Sequence, residues 1–228
     1  MDSKEIVKEL CVRNSWDFDL FQKYVGLIEE KNKVMNLTGF SGERLWNEGI
    51  LESLLFMQKI TEGLTDKTIL DIGAGAGFPS IPYVLTKPNN FVVIYEPLQK
   101  RVDFLNLVIN ELNLERYVQV YKIRSEEEQQ KNLYDVVTAR AVANINALLM
   151  SSFHLVKVGG KLSLLKGVKW KEELDNAKKT LKMLSYELEV QEFNNTYIER
   201  KNYIIKITKK RSTPKQFPYK WKDIVKSK

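Results

Sequence analysis

Apolar and polar positions alternate with a helical period through the first sixty residues. Leu20, Tyr24, Leu27 and Ile28 share one face, and a second stretch carries Leu45, Ile50, Leu54 and Met57. Gly39 and Gly42 punctuate the two. From Thr68 the pattern changes to short apolar runs separated by amphipathic stretches. It predicts strands at 68–72, 91–95, 117–123, 134–139 and 161–165, with helices near 80–86, 98–113, 144–156 and 170–183. Two late strands, about 185–193 and 202–209, are joined by a polar turn containing Asn194 and Asn195. Strand–helix alternation implies a parallel sheet covered on both faces, and the last pair, joined without a helix, must be antiparallel. The expected layout is an N-terminal helical cap (1–62), an α/β core (63–208) and a tail (209–228).

Composition narrows the class. A chain of 228 residues with 43% hydrophobic and 29% charged residues reads as an ordinary globular protein with a real core. The N-terminus mixes charges of both signs with no apolar h-region behind it, and no apolar run approaches the roughly 20 residues that span a bilayer. The cytoplasm is the expected location, with no membrane partner. Cys11 is the only cysteine and His154 the only histidine, so the count excludes an internal disulfide and zinc sites built from Cys and His. No metal is expected. His154, in the apolar stretch Ser-Ser-Phe-His-Leu-Val, reads as a core-edge or surface residue and not a triad member.

Charge is unevenly spread. Residues 200–228 carry eleven Lys and Arg against Asp223 alone, so they hold +10 of a net +7 and leave the rest at −3. A mildly acidic body with a concentrated basic end suggests an anionic polymer, most simply nucleic acid. Lys209, Lys210, Arg211, Lys215, Lys220 and Lys222 are the candidate phosphate contacts. Trp221, interleaved with them, is a candidate for base stacking, although such aromatics also tuck tails back onto protein.

The candidate chemistry centres on one turn. The strand ending at Asp71-Ile72 runs into Gly73-Ala-Gly75-Ala-Gly77 and then a helix. Glycines there let the backbone approach a ligand closely. The spacing is G-x-G-x-G, with Phe78 where a dinucleotide fingerprint places its third glycine. An acidic residue just before the turn suits a zwitterionic sulfonium ligand better than a pyrophosphate. These features point to S-adenosylmethionine (SAM), with Asp71 near the methionine ammonium and Glu96, at the end of the second strand, accepting from the ribose hydroxyls. Arg124-Ser125-Glu126-Glu127 follows the third strand, placed to meet the adenine. Arg140 follows the fourth, placed for the cofactor carboxylate or an RNA phosphate. Lys100 and Arg101 are candidates for positioning RNA, or an exposed helix face.

Asn36-Leu37-Thr38, Asp71-Ile-Gly-Ala-Gly-Ala-Gly-Phe-Pro-Ser-Ile-Pro82, Lys100-Arg101-Val-Asp-Phe-Leu105, Ser125-Glu126-Glu127 and Thr138-Ala-Arg-Ala141 together resemble the RsmG family. These are bacterial 16S ribosomal RNA guanine-N7 methyltransferases, also called glucose-inhibited division protein B. The resemblance runs through most of the chain in order. It implies a class I SAM-dependent methyltransferase (Rossmann-like) fold with a seven-stranded, mostly parallel sheet. It implies a guanine in the 530 loop of 16S rRNA as substrate and the small ribosomal subunit or its precursor as partner. Cofactor contacts at Gly73, Phe78, Ser125, Glu126 and Arg140 are implied as well. Two segments depart from the family pattern. Gly49 stands where the family has His, and Phe217-Pro218-Tyr219-Lys220 replaces a Tyr-Pro-Arg tail.

The acceptor chemistry is partly legible too. Cytosine C5 requires a cysteine nucleophile, and Cys11 lies far from the motifs. The Asn/Asp-Pro-Pro-aromatic step common for exocyclic adenine amines is absent, since Ala139-Arg140-Ala141 occupies that place. Guanine N7 needs neither a nucleophile nor a general base, only alignment. Other readings are a methyltransferase on another RNA or small substrate, a non-catalytic SAM-binding RNA module, and a nucleotide-binding oxidoreductase. The basic tail and the glycine spacing argue against the small substrate and the oxidoreductase. A monomer is expected.

Overall fold

The computed structural model describes residues 2–194, 197 and 200–226. The chain begins with α1 (Ser3–Asn14) and α2 (Phe18–Asn32), each started by an aspartate cap: Asp2 accepts from the Glu5 amide and Asp17 from that of Asp19. A one-turn α3 (Gly42–Arg44) widens into a π-helical stretch, Leu45–Leu51, and continues as α4 (Glu52–Thr61).

The core alternates as the apolar runs predict. Its elements are β1 (Thr68–Ile72), α5 (Ser80–Val84), β2 (Phe91–Tyr95), α6 (Gln99–Glu111), β3 (Val118–Tyr121), β4 (Tyr134–Ala139), α7 (Ile145–Ser152) and β5 (Val156–Lys166). They are followed by α8 (Trp170–Asn176), α9 (Lys178–Leu181), β6 (Tyr186–Glu192), β7 (Tyr203–Lys209) and α10 (Trp221–Lys226). The seven strands form one sheet in the order β3-β2-β1-β4-β5-β7-β6, with β1 to β5 parallel and β7 antiparallel to both neighbours. The order reverses between β1 and β4, where an open α/β sheet leaves a crevice at its carboxyl edge.

Alternating side chains of one strand serve two cores. Ile69 packs with the cap, α5 and α6, whereas Leu70 and Ile72 pack with α7, α8 and α9. Cap and sheet share a single hydrophobic cluster that runs from Ile6, Phe21 and Leu54 to Val92 and Phe104.

Several boundaries differ from the sequence reading. The helix placed at 144–156 stops at Ser152, and Phe153–Leu155 forms a 3₁₀ turn that holds His154 fully buried, with Nε2 2.7 Å from the Glu128 carbonyl. Burial lowers its pKa to about 4, so it is a neutral core residue. β5 begins at Val156 instead of 161: Val156 pairs with Tyr134, and a register shift across Gly159 and Gly160 leads to the next pair, Lys161 with Val136. A Cβ at Gly160 would lie 2.7 Å from the Asp135 carbonyl oxygen. The helix expected over 170–183 is two short ones. Of the turn expected between the last strands, Asn195 lies outside the described residues.

The division at 208/209 is also corrected. Lys209 is the last residue of β7 and is fully buried. Its ammonium donates to Asn132 Oδ1 at 2.8 Å and to the carbonyls of Phe153, His154 and Val156 at 3.2, 3.1 and 2.6 Å. Beyond it Thr213 and Phe217 are buried, so the segment folds back on the body.

Candidate cofactor and acceptor cavities

β1 delivers the glycine turn to the crevice. Gly73, Gly75 and Gly77 take φ of 69°, 60° and 109°, a region open to glycine at little cost, but their roles differ. Gly73 donates to the Tyr95 carbonyl at 2.7 Å. Gly75 donates to Glu96 Oε2 at 3.0 Å, and a Cβ there would meet only Arg101, at 3.9 Å. At Gly77 a Cβ would lie 2.6 Å from Ile81 and 2.7 Å from the Tyr24 hydroxyl, which itself donates to the Ala76 carbonyl. Gly77 therefore serves packing against the cap and not a ligand.

A cavity of about 270 Å³ lies beyond the ends of β1, β2 and β3, and Gly73, Glu96, Ser125 and Glu126 line it. Glu96 is 1% exposed, and its other oxygen accepts from the Leu98 amide at 3.0 Å. Arg101 lines the rim, its guanidinium 4.0 Å from Glu96, while Lys100 is exposed on α6. One oxygen of Glu126, Oε1, is buried with no hydrogen-bond partner. Beneath the turn, Asp71 is fully buried. Neither of its oxygens, nor the Ser80 hydroxyl beside them, completes a hydrogen bond of normal geometry. Burial pushes Asp71 up to about 7, against the pull of Ser80 and Arg140.

The orphaned Glu126 oxygen and the Glu96 carboxylate at this cavity, with Asp71 beside Ser80 beneath the turn, call for a ligand rich in donors. SAM fits that set: its adenine amine suits Glu126, its ribose hydroxyls Glu96, and its ammonium Asp71.

Three residues expected at the cofactor turn to other partners, and Asp71 and Gly75 are not among the residues lining this cavity either. Phe78 packs its ring against Tyr24 and Phe40, with centroids 6.2 and 6.1 Å apart. It also fills the space above Gly49, where a Cβ would sit 2.9 Å from its Cζ, so a side chain at 49 would collide with this ring. Arg140 turns toward the cap. It donates to Ser53 Oγ at 2.7 Å and to the Glu48 carbonyl, and lies 3.4 Å from Glu52. The π-helical turn supplies that carbonyl. Arg140 and Glu52 are both almost fully buried, and burial lowers the arginine's pKa and raises the glutamate's. Gly77, as above, is the third.

Arg140 lines a second, larger cavity of about 580 Å³, together with Phe40, Lys166, Lys169, Arg200 and Asn202. The two cavities share the strap Ala141–Ala143 after β4. Ala141 has φ 56°, a left-handed conformation uncommon for alanine, and Val142 crosses the turn so closely that a Cβ at Gly73 would meet it at 2.9 Å. Beyond Arg140 the sequence carried no signal for this second cavity, because its other cations come from the end of β5 and from the approach to β7.

The tail candidates divide as well. Lys209 is buried and reaches no phosphate. Lys210 is exposed but paired with Glu187 at 2.7 Å. Arg211, Lys215, Lys220 and Lys222 are exposed. Trp221 stands at the cofactor cavity, with the Arg124 guanidinium 4.7 Å from its ring centroid. The tail, read from its charge as a surface for RNA, also lines this cavity through Trp221 and Ile224. Cys11 is buried in α1, where burial pushes its thiol up to about 11, unsuited to nucleophilic work.

Among the described residues no helix is long and apolar enough to cross a membrane. Solved structures with the same architecture include a SAM-dependent methyltransferase from Aquifex aeolicus (TM-score 0.53, 18% identity, covering 73% of this chain and 93% of that one). Another is the tRNA (m1A58) methyltransferase TrmI from Aquifex aeolicus (TM-score 0.55, 14% identity, covering 69% and 68%). At these identities they speak for the fold alone. Sequence relatives go further. Proteins named ribosomal RNA small subunit methyltransferase G are 43% identical over 182 residues in Mesomycoplasma hyopneumoniae (77% of this chain, 87% of that one) and 39% over 210 residues in Mycoplasma mobile (89% and 91%). One from Bacillus cereus is 35% identical over 214 residues (91% and 88%). The profile of the rRNA small subunit methyltransferase G family matches residues 17–203. With that match over most of its length, and a class I fold around the glycine turn, this chain belongs to the rRNA small subunit methyltransferase G family.

Proposed function

We propose that this protein transfers the methyl group of SAM to N7 of a guanine in 16S ribosomal RNA, in the 530 loop of the small subunit. The observation that carries the reading is the pair of cavities sharing the Ala141–Ala143 strap, a donor-seeking one over Gly73 and Glu96 and a larger one where Arg140, Lys166, Lys169 and Arg200 stand among Glu52, Glu172 and Glu173, with Lys169 outside the ion pairs found among the described residues. SAM supplies an electrophilic sulfonium methyl and leaves as a neutral thioether. Glu96 and Glu126 hold the adenosine end, and Asp71 offers its carboxylate beneath the methionine end. Lys169 and Arg200 attract RNA phosphate, while Arg140, fixed by Ser53 and Glu52, gives the acceptor cavity a rigid wall. N7 has an in-plane lone pair and no proton, so the protein's task is to align it with the methyl.

The helices of residues 1–62 wall the acceptor side, and the remainder carries the cofactor. The protein acts as a monomer in the cytoplasm on the small ribosomal subunit or its precursor. The test is transfer of tritiated methyl from SAM to small-subunit RNA from cells lacking the protein, followed by base mapping. Label as 7-methylguanosine at one 530-loop position is expected, and label on another base or on no RNA would overturn the reading.

A further inference from the structure

The C-terminal helix belongs to two surfaces at once. After β7 the chain turns back, buries Phe217 and ties the Tyr219 amide to the Met150 carbonyl at 3.0 Å. This lays α10 against α7, where Ile224, 1% exposed, packs with Ala147 and Met150. Trp221 and Ile224 thereby complete the wall of the cofactor cavity at the end held by Arg124 and Glu126. A planar indole beside a guanidinium, together with the orphaned Glu126 oxygen, has the composition of a purine site. It offers π faces for stacking and an acceptor for an exocyclic amine. On the outside of the same segment Lys220, Lys222 and Lys226 are exposed, and among the described residues none is paired with a carboxylate.

Resting on the reading of this cavity as the SAM site, we propose that Trp221 is a wall of the adenine subsite and that α10 couples the two ligands. RNA phosphates on Lys220 and Lys222 seat Trp221 against the adenine, so RNA and SAM each bind more tightly in the other's presence. A helix of six residues has little stability of its own. Whichever ligand orders it first spares the second that cost. The coupling is reciprocal.

Calorimetry on the full chain tests this, with SAM titrated alone and in the presence of a small-subunit rRNA transcript. The transcript is expected to tighten SAM binding about fivefold. Trp221→Ala is expected to weaken SAM binding about tenfold without RNA. Trp221→Leu, which keeps apolar volume, shows the same loss, and Trp221→Phe restores most of the affinity. Because Trp221 is 47% exposed, thermal unfolding of the ligand-free Leu and Phe variants should stay near the parent's. Lys220→Gln with Lys222→Gln is expected to abolish the RNA effect while leaving SAM affinity without RNA nearly unchanged. Parent affinity for SAM in Trp221→Leu, or an RNA effect of zero in the parent, overturns the proposal. If methyl transfer to RNA persists in that case, the failure is this proposal's alone. A parent protein that binds no SAM overturns the cofactor reading beneath it.

Discussion

Both oxygens of Glu96 already accept backbone hydrogen bonds, from Gly75 and Leu98, which leaves each a second lone pair for a ribose hydroxyl. Glu96→Ala removes those acceptors and frees two amides, so SAM affinity should fall by about 1.5–3 kcal/mol with the fold intact. Calorimetry beside a far-ultraviolet spectrum checks both halves, and unchanged affinity would remove Glu96 from the site. Asp71 makes a pH argument. Its folded pKa of about 7 lies above the ordinary 3.8, so the folded protein keeps a proton that the unfolded chain has lost between those values. The stability this gives the ligand-free protein is fully present below about pH 4 and is lost as pH rises to 7. An ammonium beside Asp71 favours the ionised form, so SAM affinity should climb between pH 5 and 7, by up to about tenfold per pH unit. Asp71→Asn should flatten that rise. A parent whose affinity is flat over the same range would separate Asp71 from the ammonium.

Elements were legible where local pattern decides them. β1, β2 and β4 fall where their apolar runs place them, and the antiparallel ending follows from two strands without a helix between. The insertion of β7 between β5 and β6 was not legible, since strand order depends on pairing across the sheet. The tail misled for a related reason. Counting its lysines records charge but not that Lys209 caps buried carbonyls or that Trp221 meets Arg124 across the fold. A chain ending at Thr208 is accordingly expected to lose several kcal/mol, since Phe217 alone is worth about 3–5. Denaturant unfolding checks this, and a truncated chain as stable as the parent would return the tail to the surface. Cap and core are joined by the buried pair Arg140–Glu52. Arg140→Met strands the carboxylate and should cost about 3–5 kcal/mol, whereas adding Glu52→Gln should recover part of it. A double variant no more stable than the single would show that the pair carries little coupling.

At the scale of the whole molecule, the strand reversal at β1/β4 brings two cavities together across one short strap. Of the smaller cavity, Gly73, Glu96, Ser125 and Glu126 were legible in the sequence as neighbours at one sheet edge. Of the larger cavity only Arg140 was, because the end of β5 with Lys166 and Lys169, the approach to β7 with Arg200, and the cap meet there only in the fold. On the proposed function, the methyl of bound SAM is expected to face the strap and the larger cavity. A crystal structure of the protein with SAM measures this. The account predicts ribose hydroxyls within hydrogen-bond distance of Glu96, adenine between Glu126 and Trp221, and the sulfonium methyl opening toward the cavity of Arg140 and Lys166. Adenosine seated in the larger cavity, or a methyl directed away from Ala141–Ala143, would contradict it.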